Sequence, residues 1–180
     1  MVPSSSCHVV LDCEFTDLDD PQLLSVGMVA EDGARLYIEL DLSSAEGRAR
    51  AVRASAFAQD QVLEFFGQDS RAKVATLQEL GERAQAWLRD LKGRHIELLY
   101  DYAADYSLLE SVLVTLPQWR ELKDRLQPRN IAQECDCVDA ELASEGCFEA
   151  LKREGLYRHH ALADALALQA AYYAVSQGAP

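Results

Sequence analysis

Leu11-Asp12-Cys13-Glu14-Phe15 puts two carboxylates into a run, Val9 to Phe15, whose other residues are apolar. On a strand, residues two apart share a face, so Asp12 and Glu14 project side by side. Adjacent like charges are unfavourable unless something positive stands between them. A hard divalent cation meets that need, because magnesium and manganese prefer carboxylate oxygen. The plainer alternative is an exposed strand end with two solvated acids.

Working outward, Leu23 to Ala30 reads as a second strand and Leu36 to Leu40 as a third, joined by the hairpin signal Glu31-Asp32-Gly33. Three strands with short connections predict an antiparallel meander. The period then changes. Val74, Leu77, Leu80, Ala84, Leu88 and Leu91 recur at helical spacing, with Gly93 as the stop. Ile96 to Tyr100 reads as a strand, and Tyr106 to Leu116 as a helix halted before Pro117. A fifth strand is expected within Asn130 to Val138, a helix over Asp139 to Glu154 ending at Gly155, and a last helix from about His160 to Val175. The order β-β-β-α-β-α-β-α-α predicts an α/β fold over a single domain, residues 1–180. Its mixed five-stranded sheet combines the meander with parallel strands, flanked by helices.

Two further places carry acids or histidines with chemical potential. Tyr100-Asp101-Tyr102-Ala103-Ala104-Asp105 runs from a strand end into a helix start, where Asp105 is either a ligand or a helix cap. In His159-His160-Ala161-Leu162-Ala163-Asp164, His160 and Asp164 stand one helical turn apart. His159 sits at the start of that helix, within reach of the same side. An ion-paired surface helix is the bland alternative.

Composition narrows the classes. Lys and Arg number 17 against 30 Asp and Glu, a formal charge of −13. That excludes the usual profile of a protein that wraps long nucleic acid with a basic face. It leaves open a pocket where metal ions supply the positive charge. The five cysteines are an odd number in a chain large enough to fold without staples, so reduced thiols and a cytoplasmic setting are expected. Cys135-x-Cys137 with Cys147 lacks the second matching pair of a soft-metal site. The start, Met1-Val2-Pro3-Ser4-Ser5-Ser6, is not that of a secretory leader, and no run approaches the roughly 18 apolar residues of a membrane span.

Taken together, Val10-Leu11-Asp12-Cys13-Glu14-Phe15-Thr16, then Asp101-Tyr102-Ala103-Ala104-Asp105 with Leu108-Leu109, then His159-His160-Ala161-Leu162-Ala163-Asp164-Ala165 resemble, in one order, the motifs of the DEDD superfamily of 3′-to-5′ exonucleases. Asp12 to Leu18, Leu24 to Gly33, Phe57 to Leu63 and His159 to Leu162 are similar to the ribonuclease AS type of bacterial exoribonuclease. The resemblance implies a ribonuclease H-like fold and a homodimer. It also implies 3′-end trimming of single-stranded RNA, favoured over DNA, to nucleoside 5′-monophosphates. A non-catalytic binding module on the same fold is the alternative from another class.

The implied ligands for two divalent ions, Mg2+ or Mn2+ about 3.5–4 Å apart, are Asp12, Glu14, Asp105 and Asp164. The superfamily's second motif usually has Asn four residues before its Asp and an aromatic residue just before it. Asp101 and Ala104 occupy those positions here, so Asp105 is the positional match while Asp101 competes with it. His159 stands five before Asp164, as in the histidine subclass, and is the implied general base, with His160 beside it. Phe15, Leu18, Asp101 and His160 are expected around the substrate. Trp87 and Trp119 are expected in packing or an interface.

Overall fold

The computed structural model describes residues 6–92 and 95–176. The Gly93 helix stop and the leader reading of residues 1–5 lie outside the described residues. Six strands form one sheet: β1 (Ser6–Phe15), β2 (Leu23–Ala30), β3 (Arg35–Leu40), β4 (Lys73–Ala75), β5 (His95–Tyr100) and β6 (Leu126–Asn130). They lie in the order β4-β3-β2-β1-β5-β6. β1, β2 and β3 pair antiparallel, as the short connections predict, while β1–β5, β5–β6 and β3–β4 are parallel.

The expected five strands are therefore six, and the fifth was expected in the wrong place. Pro128 sits inside β6 and breaks the apolar pattern that marks a strand. An edge strand with one neighbour tolerates its missing N–H. Residues 131–137 form turns instead. The additional strand, β4, is three residues long, and its Val74 merges in sequence with the periodic run after it.

Seven helices are described: α1 (Ala45–Arg53), α2 (Ala56–Gln61), α3 (Leu77–Asp90), α4 (Ala103–Leu113), α5 (Trp119–Lys123), α6 (Val138–Leu151) and α7 (Ala161–Ser176). α1, α2 and α5 escape the periodicity because each is short. Their starts are nonetheless chemically marked, with Ser44 Oγ accepting from the Gly47 N–H and Ser55 Oγ from the Ala58 N–H. α3 begins with a reciprocal capping box between Thr76 and Glu79, which cuts it off from β4. No described helix is long and apolar enough to cross a membrane.

The helices cover both faces of the sheet. Val9, Leu11, Cys13 and Leu98 pack with α3, α4 and α5, where Trp119 is buried and Trp87 packs alongside. Val10, Val29, Tyr37 and Leu99 pack with α6 and α7. Both faces of β2 are buried along its whole length. Alternation along β1 then aims Asp12 and Glu14, which follow Val10, at the α7 face.

Gly27 fixes how close α7 comes. It pairs with Asp12 across β1 and β2, and a Cβ there would lie 2.3 Å from the Ala161 carbonyl and 2.4 Å from the Leu162 nitrogen. The first turn of α7 thus rests directly on the strand beside Asp12. Gly27→Ala is expected to lower stability by about 1–3 kcal/mol in urea melts, by overpacking, and to weaken manganese binding. Gly146→Ala, in open space on α6, is expected to be neutral or stabilising by about 0.5–1 kcal/mol in the same melts.

Candidate active site

The chain reverses its pairing direction at β1, which has antiparallel β2 on one side and parallel β5 on the other. In open α/β sheets the crevice beyond the carboxyl ends of strands at such a switch is the usual ligand site. Here β1 ends in Asp12-Cys13-Glu14-Phe15 and β5 runs into Asp101. α4 brings Asp105 from one face and α7 brings Asp164 from the other.

These side chains converge in two groups, each with ligand atoms within 4.8 Å of one another: Asp12, Asp101 and Asp105, and Glu14, His159 and Asp164. Both Asp101 and Asp105 join Asp12, so geometry unites the two competing positions. Asp105 is buried, and its Oδ1 accepts the Cys13 N–H at 3.3 Å, which ties α4 to the end of β1. Asp164 Oδ2 accepts the His159 N–H at 2.8 Å. That bond folds the chain back at the head of α7, where the helix dipole favours negative charge. His159 has φ 63°, a left-handed conformation uncommon outside glycine.

Crowding perturbs every acid of the cluster. Burial, then Asp164, Asp105 and Glu14, push the Asp12 carboxyl well above the ordinary range. Burial and Asp164, with which it hydrogen-bonds, do the same to Glu14. Asp105 is pushed up to about 8 by burial and then by Asp101. Asp164 rises to about 6, mainly through burial. His159 is held below its usual 6.5 by burial and the neighbouring Arg158, so its imidazole is neutral at neutral pH.

Asp12 Oδ2 and Asp105 Oδ2 are buried with no hydrogen-bond partner. Unpartnered buried carboxylate oxygens are costly. An all-oxygen set with one imidazole suits hard divalent cations. The residues fit such ions.

The cluster opens into a cavity of about 630 Å3, walled by Phe15, Leu18, Phe57, Val62 and Tyr102. Leu18 is well exposed at its rim. Alternation alone would turn Phe15 from the acids. The pairing register shifts between Glu14 and Phe15, and Phe15 both packs against the core and lines this cavity, stacked on Tyr102 at 5.9 Å between centroids. Phe57 meets the His159 ring edge-on at 4.9 Å. Sequence reasoning missed Tyr102 and Phe57 as lining residues. Tyr102 lies between the two aspartates of its motif, which was the available signal.

His160 lies elsewhere. It is buried against Tyr37 at 4.0 Å between centroids, with Nε2 3.4 Å from Asp69 Oδ2, away from the cavity wall. All five cysteines are free.

No family model and no curated protein matches the chain. Among solved structures, the zinc-ion-bound form of the E. coli ExoI–ssDNA complex shares its fold, with a TM-score of 0.56 at 12% identity. The match covers 96% of this chain and 40% of that one, so the chain spans about two fifths of the length of ExoI. At this identity the likeness is one of fold, the mixed α/β arrangement that the motifs imply.

The raised carboxyls make stability depend on pH and metal. A carboxyl raised on folding favours the folded state below its unfolded value of 3.8, and that advantage is lost as pH climbs through the folded value. Without metal, the melting temperature is expected to fall between about pH 4 and 8, with Asp164 contributing up to about pH 6 and Asp105 up to about pH 8. Asp105→Asn should flatten that fall, and manganese should reverse it in the native chain alone. Thermal melts across pH, with and without the ion, read both.

Proposed function

We propose that the protein is a metal-dependent 3′-to-5′ exonuclease of the DEDD superfamily, carried by one domain over residues 1–180. It removes nucleoside 5′-monophosphates from the 3′ end of single-stranded nucleic acid. The observation that carries this reading is the convergence of Asp12, Glu14, Asp101, Asp105, Asp164 and His159, with two buried carboxylate oxygens lacking partners, at one end of the sheet. A binding module without chemistry would have no need of buried, mutually repelling acids.

Asp12, Asp101 and Asp105 would hold one divalent ion, and Glu14 and Asp164 the other. When bound, such ions supply positive charge that acidifies a water and stabilises the leaving 3′ oxygen. The chain's own residues do the rest. The carboxylates, fixed on β1, α4, α7 and the loop after β5, set where such ions would sit. The neutral His159 imidazole accepts the proton of the attacking water. Phe15 and Tyr102, with Leu18 at the rim, form an apolar wall against which a terminal base stacks and water is excluded.

RNA is the favoured substrate, and a homodimer the favoured assembly, through the resemblance to the ribonuclease AS type, while the free cysteines favour a cytoplasmic setting. DNA is the second reading, favoured by the single-stranded DNA in the ExoI complex. A gel with 5′-labelled RNA and DNA of one sequence, run with manganese, magnesium or chelator, tests the proposal. The expected result is a metal-dependent ladder shortening from the 3′ end, abolished in Asp12→Ala. His159→Ala should lower kcat by about 10²–10⁴-fold. No ladder from either strand with any metal would overturn the catalytic reading. Light scattering reads the dimer.

A further inference from the structure

His159 is presented by a stretch with no helix or strand of its own, residues 155–160, between the turn ending at Glu154 and the start of α7. Its left-handed backbone at His159 must be held by its surroundings. From the helix side, Asp164 supplies one bond. From the outside, the linker 66–72, which leads into β4, supplies a second set.

Asp69 is the centre of that set. Its Oδ1 accepts from the Arg71 N–H at 2.9 Å and the Arg71 Nε–H at 2.8 Å. Its Oδ2 lies 3.4 Å from His160 Nε2 without hydrogen-bond alignment, a close polar contact between two nearly inaccessible side chains whose facing atoms have no other partner among the described residues. Arg71 continues to Glu154, donating from Nη1 to Oε2 at 3.0 Å. Glu154 and His160 bracket the His159 stretch, so one aspartate–arginine unit is bonded to its first end and packed in polar contact against its second. Between them the Phe65 and Tyr157 rings stack at 5.9 Å. The linker is itself anchored on β3. Glu39, buried, takes the Tyr37 hydroxyl at 3.0 Å on one oxygen and the Gly67 N–H at 2.9 Å on the other. Tyr37 in turn lies against the His160 ring.

We propose that Asp69, through its bonds to Arg71 and so to Glu154 and its buried contact with His160, is a positioning residue that sets the His159 imidazole over the acidic cluster. The proposal rests on His159 being the base of the proposed exonuclease. Partners of this kind, set behind a reacting group, typically change activity by about 10–100-fold when lost.

The test is a double-mutant cycle on the full chain. Asp69→Ala is expected to lower kcat about 10–100-fold with KM for an oligonucleotide unchanged within about twofold. In a His159→Ala background the same change should have no further effect. Asp69→Asn, which keeps one acceptor, should retain part of the rate and guards against loss of the fold, read by circular dichroism. A loss that persists in the His159→Ala background, or one that falls on KM, would overturn the proposal in favour of a general structural role. A second readout stands apart from catalysis: the His159 amide, bonded to Asp164, should exchange with solvent faster in Asp69→Ala by NMR. Unchanged protection would sink the positioning role. Inactive native protein with faster exchange in the variant would instead fault the exonuclease reading and leave the grip standing.

Discussion

Five carboxylates gathered into two close groups at one end of the sheet, partly out of water, are the constraint around which the rest of this molecule is organised. Each repels the others, and burial raises the cost of every charge. The fold brings them together by geometry rather than by mutual attraction. Two come from the end of a central strand, one from the loop after its parallel neighbour, and one from each helix on the two faces. Much of the core serves that placement. Gly27 lets α7 descend onto the sheet beside Asp12, and the Cys13 N–H holds Asp105 at the strand end. The unpartnered oxygens are what a hard divalent cation fits.

Most of this was legible because the sequence violates its own apolar pattern in the right places. Asp12 and Glu14 interrupt a strand that must be buried, and the i, i+2 rule puts them on one face without any knowledge of the partners. The meander was legible too, since its turns are short and marked by Asp32-Gly33. Asp164 comes from the resemblance, whereas helical spacing pairs it with His160, which the structure turns toward Asp69 and Tyr37. What the spacing could not decide was which of two neighbours points inward. Asp101 and Asp105 both do, because a helix start and the loop before it can face the same crevice. Of the two histidines only His159 does, since the left-handed backbone at His159 sends consecutive side chains in different directions.

The missed elements have a common cause. α1, α2 and α5 are too short for a period to emerge, and β4 and β6 are edge strands without alternating burial. Ideal alternation would turn Phe15 to the far side of the sheet, and a local register shift accompanies its place at the cavity, beside the acids where the resemblance expects it. Asp69 was invisible to sequence reasoning. It lies in a linker of ordinary polar composition, and only the tertiary fold shows that its carboxylate is buried and answers to a histidine 91 positions away.

The two outer strands have a consequence for how copies of the chain can meet. β4 offers three residues, one of them a lysine, and β6 carries Pro128 and Arg129 in the middle of its five. Neither margin presents the long, regular row of N–H and C=O groups that templates another strand. Continuation of the sheet from one molecule into the next is thereby discouraged at both ends. Self-association, where it occurs, is left to the helical layers and loops, which keeps the crevice beyond β1 and β5 clear of intermolecular strand pairing.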